Sequence, residues 1–266
     1  MKTESVNLVY FSPTGTTKAV ISAIARGINP ERMTITDITK PDERKKPLEL
    51  KNDHLLIIGV PVYMGRVPAL LSEWLGIIKG NNTPVVCVVV YGNRVYEDAL
   101  LELSDILTER GFITVAGAAF IGEHSFSTKS TPIAKDRPDK DDISKAEFFG
   151  KKIQEKLKAI SSPEKNSNLI IPGTHPYRGD SKLWITDFIE VSDACIQCGV
   201  CADVCPCGAV SPDKSSSVDI EKCITCCACI KKCPEHARSI KPGMVSDASN
   251  RLFTLYSQRK EPEYFL

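Results

Sequence analysis

The chain has 266 residues, 42% of them hydrophobic and 25% charged. That length favours two domains, and the composition excludes a disordered, collagenous or coiled-coil protein. Thirty-four Lys and Arg stand against thirty-three Asp and Glu, a formal charge of +1, so no global field recruits nucleic acid or an anionic membrane.

Short apolar runs rich in β-branched residues at 6–11, 55–60, 85–91 and 112–120 read as strands buried on both faces. MTITDI at 33–38 alternates enough for an edge strand. Helical spacing lies between and after these runs. Val67, Leu70, Leu71, Trp74, Leu75 and Ile78 follow it, as do Ala99, Leu100, Leu103, Ile106 and Leu107, then Ala146, Phe149, Ile153, Leu157 and Ile160. Gly111 closes the helix before the last strand. The alternation implies right-handed crossovers and a doubly wound parallel α/β domain over residues 1–160.

Directly after the first strand, Ser12-Pro13-Thr14-Gly15-Thr16-Thr17 leads into the helical pattern Ala19, Val20, Ala23, Ile24. Free N–H groups, the positive end of the helix dipole and four short hydroxyls converge there, which suits a phosphate monoester. A Ser/Thr-rich helix cap is the plainer reading. The loop lacks the spacing of a Walker loop, and no GxGxxG occurs, so nucleoside triphosphates and dinucleotides are not favoured. After the fifth strand, 123–142 forms a polar stretch longer than an ordinary connection, either a cover over a ligand or a disordered loop.

Residues 161–187 begin with a Ser-, Pro-, Gly- and Asn-rich linker. Ten of eleven cysteines then fall between Cys195 and Cys233, in two CxxCxxCxxxCP runs offset by 28 residues. The first is Cys195, Cys198, Cys201, Cys205 with Pro206; the second is Cys223, Cys226, Cys229, Cys233 with Pro234. Three thiolates of one run suit three irons of a cubane, and the fourth serves the other cluster. The sets are therefore Cys195, Cys198, Cys201 with Cys233, and Cys223, Cys226, Cys229 with Cys205. Structural zinc also uses CxxC pairs, but it leaves the remaining cysteines and prolines without a reason. Cys207 and Cys227 exceed the pattern, as buried filler or substitute ligands. The cluster domain is expected over 188–240, and 241–266 as a strap docked by Phe253, Tyr256, Tyr264 and Phe265.

Residues 188–240 resemble bacterial ferredoxins with two [4Fe-4S] clusters. The pattern Ser12-x-Thr14-Gly15-x-Thr17 resembles the FMN phosphate loop of flavodoxins, which implies a five-stranded sheet in the order 2-1-3-4-5 with FMN at its switch point. The same resemblance assigns the flavin ring to two further loops. One holds Pro61, Val62, Tyr63, Met64, Gly65 and Arg66; the other holds Tyr91, Gly92, Asn93, Arg94, Val95 and Tyr96. Tyr63, Tyr91 and Tyr96 are stacking or rim residues. Arg66 and Arg94 are expected either to favour anionic reduced flavin or to be solvated. Gly65 would let its peptide turn toward N5.

The whole chain resembles flavodoxin and ferredoxin fusion proteins of anaerobic prokaryotes. That resemblance implies an electron-transfer flavo-iron-sulfur protein, or a reductase whose terminal substrate is open, serving redox protein partners. The contrasting expectation is a redox- or iron-responsive binding module whose first half has lost FMN. No nucleic acid and no membrane span are expected, and the absence of a secretory signal points to the cytoplasm. A homodimer is the alternative if the linker holds the domains apart.

Overall fold

The computed structural model describes residues 5–160, 169–182 and 184–266. The start of the expected linker, 161–168, lies outside the described residues. In chain order the first half holds β1 (Ser5–Tyr10), α1 (Thr16–Ile28), β2 (Met33–Asp37), β3 (Glu49–Leu50), β4 (His54–Pro61), α2 (Ser72–Ile77), β5 (Lys79–Gly80), β6 (Thr83–Tyr91), α3 (Ala99–Glu109), β7 (Phe112–Ile121) and α4 (Lys140–Ala159). The rest holds β8 (Ile189–Val191), α5 (Val200–Asp203), α6 (Ala228–Lys231), β9 (Arg238–Ile240), α7 (Met244–Tyr256) and β10 (Glu263–Phe265).

The main sheet runs β2-β1-β4-β6-β7-β10. Its first five strands are parallel and stand in the flavodoxin-like order. The sheet has six strands rather than five, because β10 pairs antiparallel with β7, Tyr264 opposite Ala118. β6 is buried at every position, as a central strand covered by helices on both faces must be. β2 is an edge, with Met33 47% and Ile35 55% exposed. The helix expected over 67–78 is shorter: a 3₁₀ turn at Ala69–Leu71 precedes α2, and Ile78 is already extended. Pro68 restricts the residue before it and delays the helix, while Leu71, Trp74, Leu75 and Ile78 keep the predicted buried face.

The C-terminal segment is fastened at several points. Tyr264 stacks on Phe149 with centroids 5.0 Å apart and leans on Phe120 at 5.6 Å. Arg137 forms a buried bidentate pair with Asp142 and donates to the Lys260 carbonyl at 2.8 Å. β8 and β9 pair antiparallel and bring the two ends of the cysteine segment together. Among the described residues, no helix is long and apolar enough to cross a membrane.

The segment at 174–180 is tied back to the first half through Asp98, whose side chain is 0% exposed. Asp98 accepts from the Arg178 backbone N–H at 2.7 Å, its Nη2 at 2.6 Å and the Thr174 hydroxyl at 3.2 Å. The Arg178 guanidinium foremost holds the Asp98 carboxyl well below the usual carboxylate range. A depressed folded pKa means that the unfolded chain takes up the proton first, so this stabilisation is present above the unfolded pKa of about 4 and is lost as pH falls through the folded value. Asp98→Asn should lower stability by about 2 kcal/mol at neutral pH. In urea unfolding the gap from the unsubstituted chain should shrink as pH is lowered below about 4.

Candidate functional site

At the carboxyl edge of the parallel strands, Gly15 caps α1 with φ 97, a left-handed conformation that side chains rarely adopt. Ser12 Oγ accepts from the Lys18 N–H at 3.0 Å, and Ser12 N–H donates to Thr39 Oγ1 at 2.7 Å. Thr17 Oγ1 is buried with no hydrogen-bond partner among the described residues. Such an orphan hydroxyl, beside first-turn N–H groups with no intrahelical acceptor, fits a phosphate.

The loop opens into a cleft. Ser12, Thr14, Thr16 and Thr17 line one end; Pro61, Tyr63 and Met64, then Tyr91 and Gly92, and the segment 122–126 line the rest. A second cavity shares Val62, Met64, Tyr91, Gly92, His124 and Phe126 with it and continues past Gly65 to Arg94, Trp184 and Arg251. The two form one elongated cleft, phosphate-sized at one end and walled by aromatic and apolar groups at the other. The start of the long polar stretch therefore does line the cleft.

Several expected ring contacts are placed elsewhere. Arg66 turns away to pair bidentately with Glu102, Nε at 2.9 Å and Nη2 at 2.7 Å, and its guanidinium lies over the Tyr177 ring. The buried Glu102 carboxylate needs that partner. Arg94 binds Glu97 at 2.8 Å and borders only the far lobe. Asn93 is buried and donates to the Tyr256 carbonyl at 2.5 Å and the Gln258 carbonyl at 2.8 Å, so it anchors the C-terminal segment instead. Tyr96 donates its hydroxyl to Glu263 at 2.9 Å and packs on Tyr91 behind the cleft. Tyr63, Met64, Tyr91 and Gly92 remain in the wall.

His124 lies in the stretch expected to cover the ligand, leaving the carboxyl end of the fifth strand with Gly122, Glu123, Ser125 and Phe126, and it does line the cleft. Its ring lies where a Cβ on Gly92 would stand, 2.2 Å away, so only glycine fits there. The Phe126 N–H donates to His124 Nδ1 at 2.9 Å, which leaves the ring proton on Nε2. Burial first, then Lys231 and Arg94, push its pKa down to about 4. With the folded pKa lowered, stability should fall as pH drops from about 6.5 toward 4, where the unfolded chain is already protonated. NMR titration of the His124 ring should give a midpoint near 4, and His124→Gln should remove that part of the pH dependence.

Three cysteines of the second run face a small, tight cavity together with the fourth cysteine of the first: Cys223, Cys226, Cys229 and Cys205 line it, with Cys207 and Cys227. Among the described residues, no three His, Cys, Asp or Glu side chains stand at single-ion spacing. Cys205 Sγ lies 3.7 Å from Cys207 Sγ and accepts the Ala209 N–H at 3.2 Å; these bonds pull the Cys205 pKa down, and Cys207 rises as its partner. Burial raises Cys226 and Cys229, the latter to about 11. A soft, desolvated thiol set around one cavity fits a thiolate-bound centre. Of the first run, Cys201 is buried, Cys195 is half-buried and Cys198 is exposed, and Cys233 is half-buried. Cys227 is buried in a left-handed backbone conformation at the start of α6, and Cys87 is buried within β6.

The two sites adjoin. Thr225, between Cys223 and Cys226 in sequence, lines the first cleft. Tyr63 lines the same cleft and packs against the apolar cluster that includes Cys226; burial first, then the charge of the neighbouring cysteines, pushes its phenol well above the ordinary value. Lys231 bonds Glu123 at 2.6 Å, and Arg44 donates to the Pro206 carbonyl, fixing the two halves together.

Residues 189–211 match the 4Fe-4S binding domain family. Over 91 residues, 33% of this chain, the sequence is 32% identical to the thiosulfate reductase electron transfer subunit PhsB of Salmonella typhi, of which the match spans 47%. Over 60 residues, 21% of this chain, it is 40% identical to the polyferredoxin-like subunit of an aliphatic sulfonate oxidoreductase of Pyrococcus furiosus, of which 35% is spanned. The chain thus covers under half the length of each of these relatives. Among solved structures, a flavodoxin from the domain Archaea aligns over 58% of this chain and 99% of its own, with 17% identity and a TM-score of 0.38. Flavodoxin 2 from Bacillus cereus aligns over 57% and 99%, with 16% identity and a TM-score of 0.42. Strand order and the hydroxyl loop define the first half as flavodoxin-like, and the cysteine half carries a ferredoxin-type 4Fe-4S segment.

Proposed function

We propose that the chain is an electron-transfer flavo-iron-sulfur protein that carries FMN and two [4Fe-4S] clusters and exchanges electrons with external redox proteins. The observation that carries this reading is a juxtaposition: Tyr63 and Thr225 border the cleft, Tyr63 packs on the apolar cluster that buries Cys226, and Cys226, next to Thr225 in sequence, lines the cysteine cavity. Ser12, Thr14, Gly15, Thr16 and Thr17 would hold the phosphate; Pro61, Tyr63, Met64, Gly65, Tyr91 and Gly92 would hold the ring. Cys223, Cys226, Cys229 and Cys205 would bind the cluster beside the flavin, and Cys195, Cys198, Cys201 and Cys233 the outer one.

Flavin exchanges one or two electrons and each cluster one, so the pair joins a two-electron donor or acceptor to single-electron partners. The chain's own residues supply position and exclusion of water. Thr17 Oγ1 offers an unused hydrogen bond at the phosphate end. The His124 ring, neutral above about pH 4, presents a fixed Nε2–H at the cleft wall without adding charge. Trp184 and Leu252 close the far lobe from the side of α7. Cys198 is exposed, so the outer set would be the one nearer solvent and an external redox protein.

Protein purified without oxygen should contain one FMN and about eight iron atoms per chain. Clusters without flavin would overturn the flavin half of this reading, and zinc in place of iron the other half. Thr17→Val should weaken FMN binding about tenfold with cluster content unchanged, as the loss of one hydrogen bond to a charged group predicts; fluorescence titration of the flavin-free protein measures it. In single-turnover absorbance experiments, Cys226→Ser should abolish exchange between flavin and the remaining cluster, whereas Cys198→Ser should preserve fast exchange with the inner one. The reverse pattern would refute the order of centres.

A further inference from the structure

Arg238 begins β9, where pairing with Val191 of β8 fixes its backbone. It is only 4% exposed, and among the described residues no carboxylate is bonded to it. One nitrogen is used twice: Nη1 donates to the Ser215 carbonyl at 2.6 Å and to Cys201 Sγ at 3.4 Å. Nε and Nη2 are buried with no hydrogen-bond partner among the described residues. A buried guanidinium with two unused donor groups is costly unless an anion faces it. The groups around it are sulfurs of both runs. Cys201 belongs to the first, and Cys229 of the second is buried in the same small cluster as Cys201.

We propose that Arg238 is a shared buried counter-charge for both iron-sulfur centres, donating N–H to sulfur on either side and favouring their reduced states. This rests on the cysteine sets holding clusters. Reduction places one electron from an external donor on a cluster, with no bond made or broken and no proton moved. Counted with its four thiolates, the centre passes from 2− to 3−, and a fixed cation in a low-dielectric site favours the more negative form. Hydrogen bonds to the sulfurs act in the same direction. α5 and α6 lie side by side, and Cys201 and Cys229, one from each run, share a buried cluster beside Arg238.

The test is an anaerobic dithionite titration of the full chain followed by electron paramagnetic resonance, with the flavin absorbance as internal reference. Arg238→Met should lower both cluster potentials while the flavin potential moves less; Arg238→Lys, which keeps the charge and loses the planar fork, should fall between. Iron content is measured first. A native chain without iron overturns the cluster reading and this proposal together, whereas clusters at native content with unshifted potentials overturn the proposal alone. A measurement on the unsubstituted protein covers failure of the variants to assemble: with guanidino-¹⁵N arginine, electron-nuclear double resonance of the reduced clusters should show ¹⁵N coupling, and its absence overturns the assignment.

Discussion

Ile224, Cys226 and Ala228 of the second cysteine run are buried in the same apolar cluster as Val9, Leu56, Ile58 and Cys87 of the sheet. Two halves joined only by a linker ordinarily move relative to one another. Here they share a core, and apolar burial holds the cysteine cavity against the cleft. Arg44 at Pro206 and Lys231 at Glu123 fix orientation at the margin of that contact, where directional bonds add specificity to non-directional burial. Proximity of the two centres is then a property of packing, and the length of the linker matters little to it.

The same packing explains how the cleft is walled. α7 and the residues around Trp184 lie across the far lobe, and Phe126 stacks near Trp184 with centroids 6.3 Å apart. Phe126, Ile133, Phe188, Cys227, Val245 and Leu252 form a separate apolar cluster that joins the long loop, the cysteine segment and α7. The loop at 123–142 is ordered through this cluster and through the Asp139 capping box at the start of α4. Polar composition alone does not show that order, since few of its side chains, Phe126, Ile133 and Ala134 among them, do the apolar packing.

Much of the scaffold was legible because it is written in local pattern. Continuous β-branched runs mark strands covered on both faces, the hydroxyl-rich turn sits where the first helix must start, and two equal cysteine runs declare a duplication. What escaped depends on partners distant in sequence. Arg66 looks like a loop arginine until Glu102 is folded beside it; Asn93 looks like a ligand until the carbonyls of Tyr256 and Gln258 arrive. Thr225 has no motif of its own, and it becomes a wall residue only because the second cysteine run docks on the sheet. His124 was legible as part of the cover, because it leaves the carboxyl end of the fifth strand, where open α/β sheets place their ligands, but its hydrogen bond to the Phe126 N–H was not.

The outermost position beside β7 is filled by Glu263–Phe265, a segment made long after the strand it completes. Until those residues emerge, β7 offers a row of unpaired backbone groups, and Phe149 lacks the ring that covers it. A nascent flavodoxin-like half is therefore adhesive at one flank during synthesis, and its closure is a late, long-range event of the kind that slows folding. The same three residues that finish the architecture also act as its guard against sticking to a neighbouring copy.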